Sequence, residues 1–89
     1  MRELIVELKN EQGLHARPSA EIVKIVRKYN SELRIIKDDI EVDGSSIMEL
    51  MTLAAEKGQK LILKADGEDE KELLDILQKF IEVDKFFEE

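Results

Sequence analysis

The sequence predicts an α+β fold, a four-stranded antiparallel sheet with three helices on one face in the order βαββαβα. Apolar and polar residues alternate in the expected strands, which is typical of a sheet with one buried face and one exposed face. Apolar residues recur at helical spacing elsewhere, and helices that cover a single face make an open-faced sandwich. Since nothing in the composition divides the 89 residues, we expect a single domain over residues 1–89.

The chain begins with a strand and a helix. Apolar and polar residues alternate over residues 3–8, so Leu4, Val6 and Leu8 are expected to point into the core. The first helix is expected over residues 16–28, where apolar residues recur at helical spacing. Its expected inward residues are Ser19, Ile22, Val23, Val26 and Tyr29.

Two strands and a short helix follow. The strands are expected over residues 32–37 and 40–42, with Asp38-Asp39 as the tight turn between them. Leu33 and Ile35 of the first of these strands are expected to point inward, and the second carries Ile40 and Val42. The short helix is expected over residues 47–55. Lys57 and Gly58 follow it and are expected to terminate it, the lysine as a basic residue near the C-terminal end and the glycine in the left-handed conformation. Its expected inward residues are Leu50, Leu53 and Ala54.

The last strand is expected over residues 60–65, and Asp66-Gly67 then turns the chain. The inward residues of this strand are expected to be Leu61, Leu63 and Ala65. Glu68-Asp69-Glu70 places acid at the start of the last helix, where the helix dipole favours negative charge. That helix is expected to bury Leu73, Leu74, Leu77 and Ile81, with Phe80 or Phe86 closing its far end.

The composition limits the class of partner. A net charge of −7 argues against nucleic acid or an anionic membrane as the main partner. The absence of cysteine excludes disulfides and thiolate metal sites, and the one histidine has no further ligand at a useful spacing. We therefore expect no metal and no cofactor. Without a long apolar run or a signal-peptide pattern, a cytoplasmic protein with no membrane insertion is expected.

The one histidine of the chain, His15, lies where the first strand has ended and the first helix begins. First-turn amides lack partners within the helix, and the helix dipole gives this end partial positive charge. A neutral imidazole is a nucleophile, so His15 could accept a phosphoryl group that Arg17 would stabilise. The alternative is that His15 is an N-cap or loop residue and Arg17 a solvated surface charge.

Two motifs carry a resemblance to a known family. They are Gly13-Leu14-His15-Ala16-Arg17-Pro18-Ser19-Ala20 and Ser46-Ile47-Met48-Glu49-Leu50-Met51-Thr52-Leu53 with Lys57-Gly58 after it. With them the chain resembles the histidine-containing phosphocarrier family, HPr, of the bacterial phosphoenolpyruvate-dependent sugar phosphotransferase system. The resemblance implies the same fold, phosphoryl transfer from phosphoenzyme I to His15, and onward transfer to the sugar-specific transporter component, Enzyme IIA. The resemblance also implies that the protein is not itself an enzyme but a phosphoryl carrier for partner enzymes.

Two surfaces for partner binding are expected, and the first of them starts beside His15. By their spacing, Arg17, Ala20, Lys24 and Arg27 share one face of the first helix and form a basic strip. The short helix holds more apolar residues than one buried stripe needs, so a methionine patch of Ile47, Met48 and Met51 is expected to be partly exposed. The alternatives are an ordinary solvated face and a helix sunk in the core. The resemblance implies partner binding through Ala16, Ala20, Lys24, Arg27, Ile47, Met48 and Met51.

Ser46 has two explanations. Ser46 and Glu49 match a capping box, in which the hydroxyl accepts from the Glu49 amide and the carboxylate reaches back. Ser46 also matches the serine that HPr kinase/phosphorylase modifies in many family members, which implies regulation and a catabolite-control transcription factor as a further partner. Glu49 stands where the family usually has glycine or lysine, and Ser45 where it often has a basic residue.

Two other classes of protein stay open. A regulatory module would act mainly through Ser46 phosphorylation and protein binding, although the presence of His15 and Arg17 speaks against a purely regulatory role. A small-molecule-binding domain with a ferredoxin-like layout is compatible with the pattern of elements but leaves the two motifs unexplained. We expect a monomer.

Overall fold

The computed structural model describes residues 1–88, and the elements follow the predicted order. The strands are β1 (Arg2–Glu7), β2 (Ser31–Lys37), β3 (Ile40–Asp43) and β4 (Lys60–Gly67). The α-helices are α1 (Ala16–Val26), α2 (Ile47–Thr52) and α3 (Glu70–Gln78). The last helix continues into a π-helical turn, Lys79–Val83, and a short turn, Lys85–Phe87. Within residues 1–88, no helix is long and apolar enough to cross a membrane.

The strands form one antiparallel sheet in the order β1-β4-β2-β3. Leu63 of β4 lies opposite Leu4 of β1 on one side and Ile35 of β2 on the other. Inward side chains therefore stand in rows across the sheet, as the alternation of the sequence predicts. The α+β fold with a four-stranded antiparallel sheet and three helices is confirmed.

The core lies between the inner face of the sheet and the helices, and most predicted inward residues are in it. Leu4 and Tyr29 are partly buried against its edge. Phe80 and Phe86 are both buried, and their rings pack edge to face with centroids 5.0 Å apart. The aromatic pair therefore closes the far end of the last helix, as expected.

Two helices are shorter than predicted. The first ends at Val26 and not near Lys28. The second ends at Thr52, because Ala54 adopts the left-handed conformation (φ +50°) and is exposed, so its predicted inward position is wrong. The Lys37 ammonium donates to the Leu53 carbonyl at 3.0 Å and satisfies the end of the helix. Lys57-Gly58 is consequently not the helix stop.

The two apolar residues of β3, Ile40 and Val42, differ in burial. Ile40 is exposed, whereas Val42 on the same face of β3 is buried. Ile40 pairs with Lys37 at the last rung of the hairpin, and β3 is an edge strand. Its side chain therefore has sheet neighbours on one side only, and the alternation of the sequence does not reveal this.

Candidate functional site

His15 is the N-cap residue of α1, at the end of the loop that follows β1. Its backbone is extended (φ −101°, ψ −169°), and its side chain makes no capping hydrogen bond. The Ser19 N–H donates to the His15 carbonyl at 3.0 Å, which fixes the backbone at the helix start. The side chain is 35% exposed. The imidazole is therefore held at a defined place, reaches solvent, and has no part in capping the helix.

The loop before His15 is locked against the segment that follows α2. Gly13 has a φ of +66°, and an added Cβ would clash with the Ala55 carbonyl oxygen and stand 2.8 Å from the Glu56 Cα. The Leu14 N–H donates to the Ala55 carbonyl at 2.9 Å. Only glycine allows both this backbone conformation and this close approach, which together set the position of His15.

We expect Gly13→Ala to lower the free energy of unfolding by about 2–4 kcal/mol, since left-handed strain and a backbone clash add. Gly58→Ala is the matched control, because Gly58 has a φ of +89° and an added Cβ there would have nothing within 4 Å. It should lose only about 1–2 kcal/mol from strain. Urea unfolding of both variants measures the difference. Equal losses would show that the close approach at Gly13 contributes nothing.

Arg17 lies exposed in the first turn of α1. The amides of Ala16 and Arg17 are in that turn too, where the helix provides no carbonyl partner. No acidic residue belongs to the first turn itself, so no side chain of that turn offsets the positive end of the helix dipole. Amides, dipole and guanidinium form a surface suited to phosphate beside the His15 ring.

The basic strip follows the exposed side of the same helix. Lys24 and Arg27 are exposed and Ala20 is half-buried. The Lys24 ammonium lies 3.3 Å from the Glu21 carboxylate, which neutralises part of the strip. Since such exposed pairs are weak, Lys24 can exchange Glu21 for an acidic group on a partner at little cost.

The methionine patch is exposed as predicted, with Ile47 at 39%, Met48 at 82% and Met51 at 46% exposure. Leu50 and Leu53 face the core and hold α2 in place. Because α2 packs against α1, the methionine patch and the basic strip lie on neighbouring helices. The role of the methionine patch in partner binding stays a prediction.

Ser46 is the N-cap residue of α2, and half of the predicted capping box is present. The Glu49 N–H donates to Ser46 Oγ at 3.2 Å. The Glu49 carboxylate does not return to Ser46: it accepts from the Asp43 N–H at 3.1 Å, while the Ser46 N–H donates to the Asp43 carbonyl at 3.1 Å. Hydrogen bonds from the Ser45 N–H and hydroxyl hold the pKa of the Asp43 carboxyl below its usual value.

Sequence reasoning missed one residue of the site, Glu88. Its carboxylate lies 3.4 Å from His15 Nε2 and accepts from the Asn10 amide at 2.9 Å and the Gln12 N–H at 3.3 Å. The Asn10 hydrogen bond is the main cause that lowers the pKa of Glu88, so this side chain is a carboxylate at neutral pH. No sequence signal distinguishes it from the other glutamates.

The arrangement provides one nucleophilic ring, one cation and helix-terminal amides, which suits reversible attachment of an anionic group. In the part of the chain that the structure describes, no three carboxylate or imidazole side chains come together to hold a metal ion.

Known proteins similar to this chain are phosphocarriers and their relatives. A family model described as the PTS HPr component phosphorylation site matches residues 3–83. Phosphocarrier protein HPr of Borreliella burgdorferi is 39% identical over 85 residues, which cover 91% of this chain and 96% of that protein. The HPr-like protein Crh of Halalkalibacterium halodurans is 43% identical over 82 residues, covering 92% and 98%.

Solved structures agree with the sequence similarity. The crystal structure of HPr-C-His from Thermoanaerobacter tengcongensis superposes with a TM-score of 0.93 at 42% identity, covering 100% of this chain and 99% of that one. The family model spans both motifs, and the fold is shared from β1 to the last helix. On this combined similarity of sequence and fold, the chain belongs to the HPr family of phosphocarrier proteins of the phosphotransferase system.

Proposed function

We propose that this chain carries a phosphoryl group on His15 from phosphoenzyme I to the sugar-specific Enzyme IIA component. The observation that supports it most is the position of the imidazole, exposed at the N-cap of α1 and without a capping hydrogen bond. A histidine that served only to start the helix would be expected to contact its amides.

In this mechanism a ring nitrogen of His15 attacks the phosphorus atom carried by Enzyme I, and the bond to the Enzyme I donor breaks. The Arg17 guanidinium and the first-turn amides of α1 stabilise the charge on the phosphoryl oxygens. A carrier must also release its cargo. One exposed arginine suits this better than a deep cationic pocket, which would hold the phosphoryl group too tightly for onward transfer.

Partner docking is proposed at the basic strip of α1 and the methionine patch of α2. The basic strip would attract acidic partners and orient them by charge. The methionine patch offers flexible apolar side chains that can adapt to partners of different shape. Because α1 and α2 pack together, one partner face can contact both.

Incubation with phosphoenolpyruvate and Enzyme I tests the carrier proposal. We expect one phosphate per chain, labile in acid and stable in base, as a phosphohistidine is. The reaction without Enzyme I is the control and should give none. If the complete reaction leaves the protein unphosphorylated, the carrier function is wrong.

A second candidate function is regulation through Ser46. Its hydroxyl lies at the N-cap of α2 next to the methionine patch, and Crh proteins are among the relatives. A phosphate on Ser46 would add about two negative charges there. HPr kinase/phosphorylase would install it, and a catabolite-control transcription factor would be the partner that recognises it.

We expect Ser46→Asp to weaken transfer from Enzyme I more than it changes stability. Aspartate is itself a good N-cap, so the free energy of unfolding should change by no more than about 1 kcal/mol. The added charge stands near the methionine patch, and its repulsion of an acidic partner should lower association. Thermal unfolding and the concentration dependence of transfer measure the two effects.

Ser46→Ala, measured in parallel, distinguishes the effect of losing the helix cap from the effect of adding a negative charge. It removes the hydrogen bond from the Glu49 amide without adding a charge. If alanine impairs transfer more than aspartate does, Ser46 acts only as a helix cap and the regulatory candidate fails.

A further inference from the structure

We propose that Glu88 is a positioning residue for His15, brought to the ring by a left-handed turn at residues 85–87. This inference rests on the proposed function, in which His15 is the phosphoryl acceptor. The carboxylate would hold one ring nitrogen, Nε2, in its protonated form and leave the other, Nδ1, to take the phosphoryl group.

The loop before α1 holds both oxygens of the Glu88 carboxylate. Oε2 accepts from Asn10 Nδ2 at 2.9 Å and lies 3.4 Å from His15 Nε2. Oε1 accepts from the Gln12 N–H at 3.3 Å. The side chain is only 12% exposed, so the carboxylate is enclosed by the loop. A distance of 3.4 Å is long for a hydrogen bond, as is common before a substrate binds and tightens the site.

Asn10 joins the carboxylate to the backbone that carries His15. It is buried, and its amide nitrogen also donates to the Gly13 carbonyl at 2.8 Å. The His15 N–H approaches the same carbonyl at 3.2 Å. Glu88, Asn10 and the backbone of residues 13–15 thus form one connected network, so a change at residue 88 reaches the imidazole directly.

The turn that delivers Glu88 is unusual. Lys85, Phe86 and Phe87 all have positive φ values, 51°, 58° and 53°, and none of them is glycine. Three consecutive L-residues in this conformation are strained and persist only where the surroundings impose it. Phe86 provides that constraint, since it is buried and packs edge-on against Phe80 with ring centroids 5.0 Å apart. The strain is thus retained in a turn that brings a carboxylate to the site.

The chemistry follows from the hydrogen-bonding capacity of the ring. A carboxylate only accepts, so it favours the neutral tautomer with the proton on Nε2 and the lone pair on Nδ1. When that lone pair forms the bond to phosphorus, the bond to the donor breaks and the Nε2 proton stays in place. The positively charged ring that results is stabilised by Glu88. On transfer to the next protein the bonding electrons return to Nδ1, and no proton has to move.

The test uses Glu88→Gln, which keeps the size of the side chain and removes its charge. Glu82→Gln is the matched control, because the Glu82 carboxylate accepts from the Glu7 N–H at 2.8 Å and anchors the same terminal segment to β1. Two readouts are compared with wild type. One is the tautomer of His15, from the nitrogen-15 shifts of its ring at a pH where it is neutral. The other is the transfer rate from phosphoenzyme I, resolved into its limiting rate and its concentration dependence.

We expect wild type and Glu82→Gln to hold the proton mainly on Nε2. Glu88→Gln should move the ring toward a mixture of tautomers and lower the limiting rate roughly tenfold, with the concentration dependence unchanged. An unchanged tautomer in Glu88→Gln, or an equal change in both variants, would overturn the proposal. If wild type accepts no phosphate, the proposed function fails, whereas the tautomer comparison still decides the role of Glu88.

Discussion

His15→Ala is expected to abolish phosphate acceptance from phosphoenzyme I while the fold stays intact. The chain has no second histidine to replace it. Its side chain is partly exposed and makes no capping hydrogen bond, and its nearest charged contact is Glu88. We therefore expect the free energy of unfolding to change by less than about 1 kcal/mol, as for most surface substitutions.

Phosphate incorporation and thermal unfolding of the same preparation measure the two effects. Gln12→Ala serves as the control, because Gln12 is an exposed residue of the same loop and its side chain has no role in the proposed chemistry. It should accept phosphate like wild type. Phosphorylation of His15→Ala at the wild-type rate would remove His15 from the mechanism.

Arg17→Ala is expected to slow phosphoryl transfer by about ten- to a thousandfold, equivalent to about 1.4–4 kcal/mol for one charged donor to a transferring phosphate. Arg17 lies exposed in the first turn of α1, and that turn contains no acidic residue. In the proposed mechanism its guanidinium contacts the phosphoryl oxygens on His15. The loss should appear in the limiting rate, because in the proposed mechanism Arg17 stabilises the charge that develops during transfer.

Stopped-flow transfer at saturating phosphoenzyme I measures this rate. Lys28→Ala is the control, since it removes the same charge from an exposed position beyond the C-terminal end of α1. Rates for Arg17→Ala that match those of Lys28→Ala would mean that only net charge matters and that Arg17 makes no specific contact.

The strands could be predicted because one face of the sheet is buried. Leu61, Leu63 and Ala65 alternate with partly exposed residues, and all three are buried as expected. The end of α2 could not be predicted in this way. Ala54 takes a conformation that local propensity disfavours, next to Ala55, whose carbonyl receives the Leu14 N–H. A tertiary contact between distant segments thus overrides the local preference for a helix.

Part of the candidate site could likewise be predicted from the sequence, and part could not. His15 and Arg17 lie two residues apart in the sequence, so this spacing and the predicted helix start are enough to place them together. Glu88 reaches His15 only through a left-handed turn of non-glycine residues, and Glu49 bonds Asp43 in place of Ser46. Both contacts depend on the conformation of turns and on tertiary packing, and neither can be predicted from the periodicity of apolar residues.

The most direct test of the carrier function is onward transfer. The protein is phosphorylated, separated from Enzyme I and phosphoenolpyruvate, and mixed with Enzyme IIA while phosphorus NMR follows both proteins. The phosphohistidine signal of this protein should disappear as an equal signal appears on Enzyme IIA, and it should persist far longer when Enzyme IIA is left out. Loss of the signal to inorganic phosphate at the same rate with and without Enzyme IIA would contradict the carrier function.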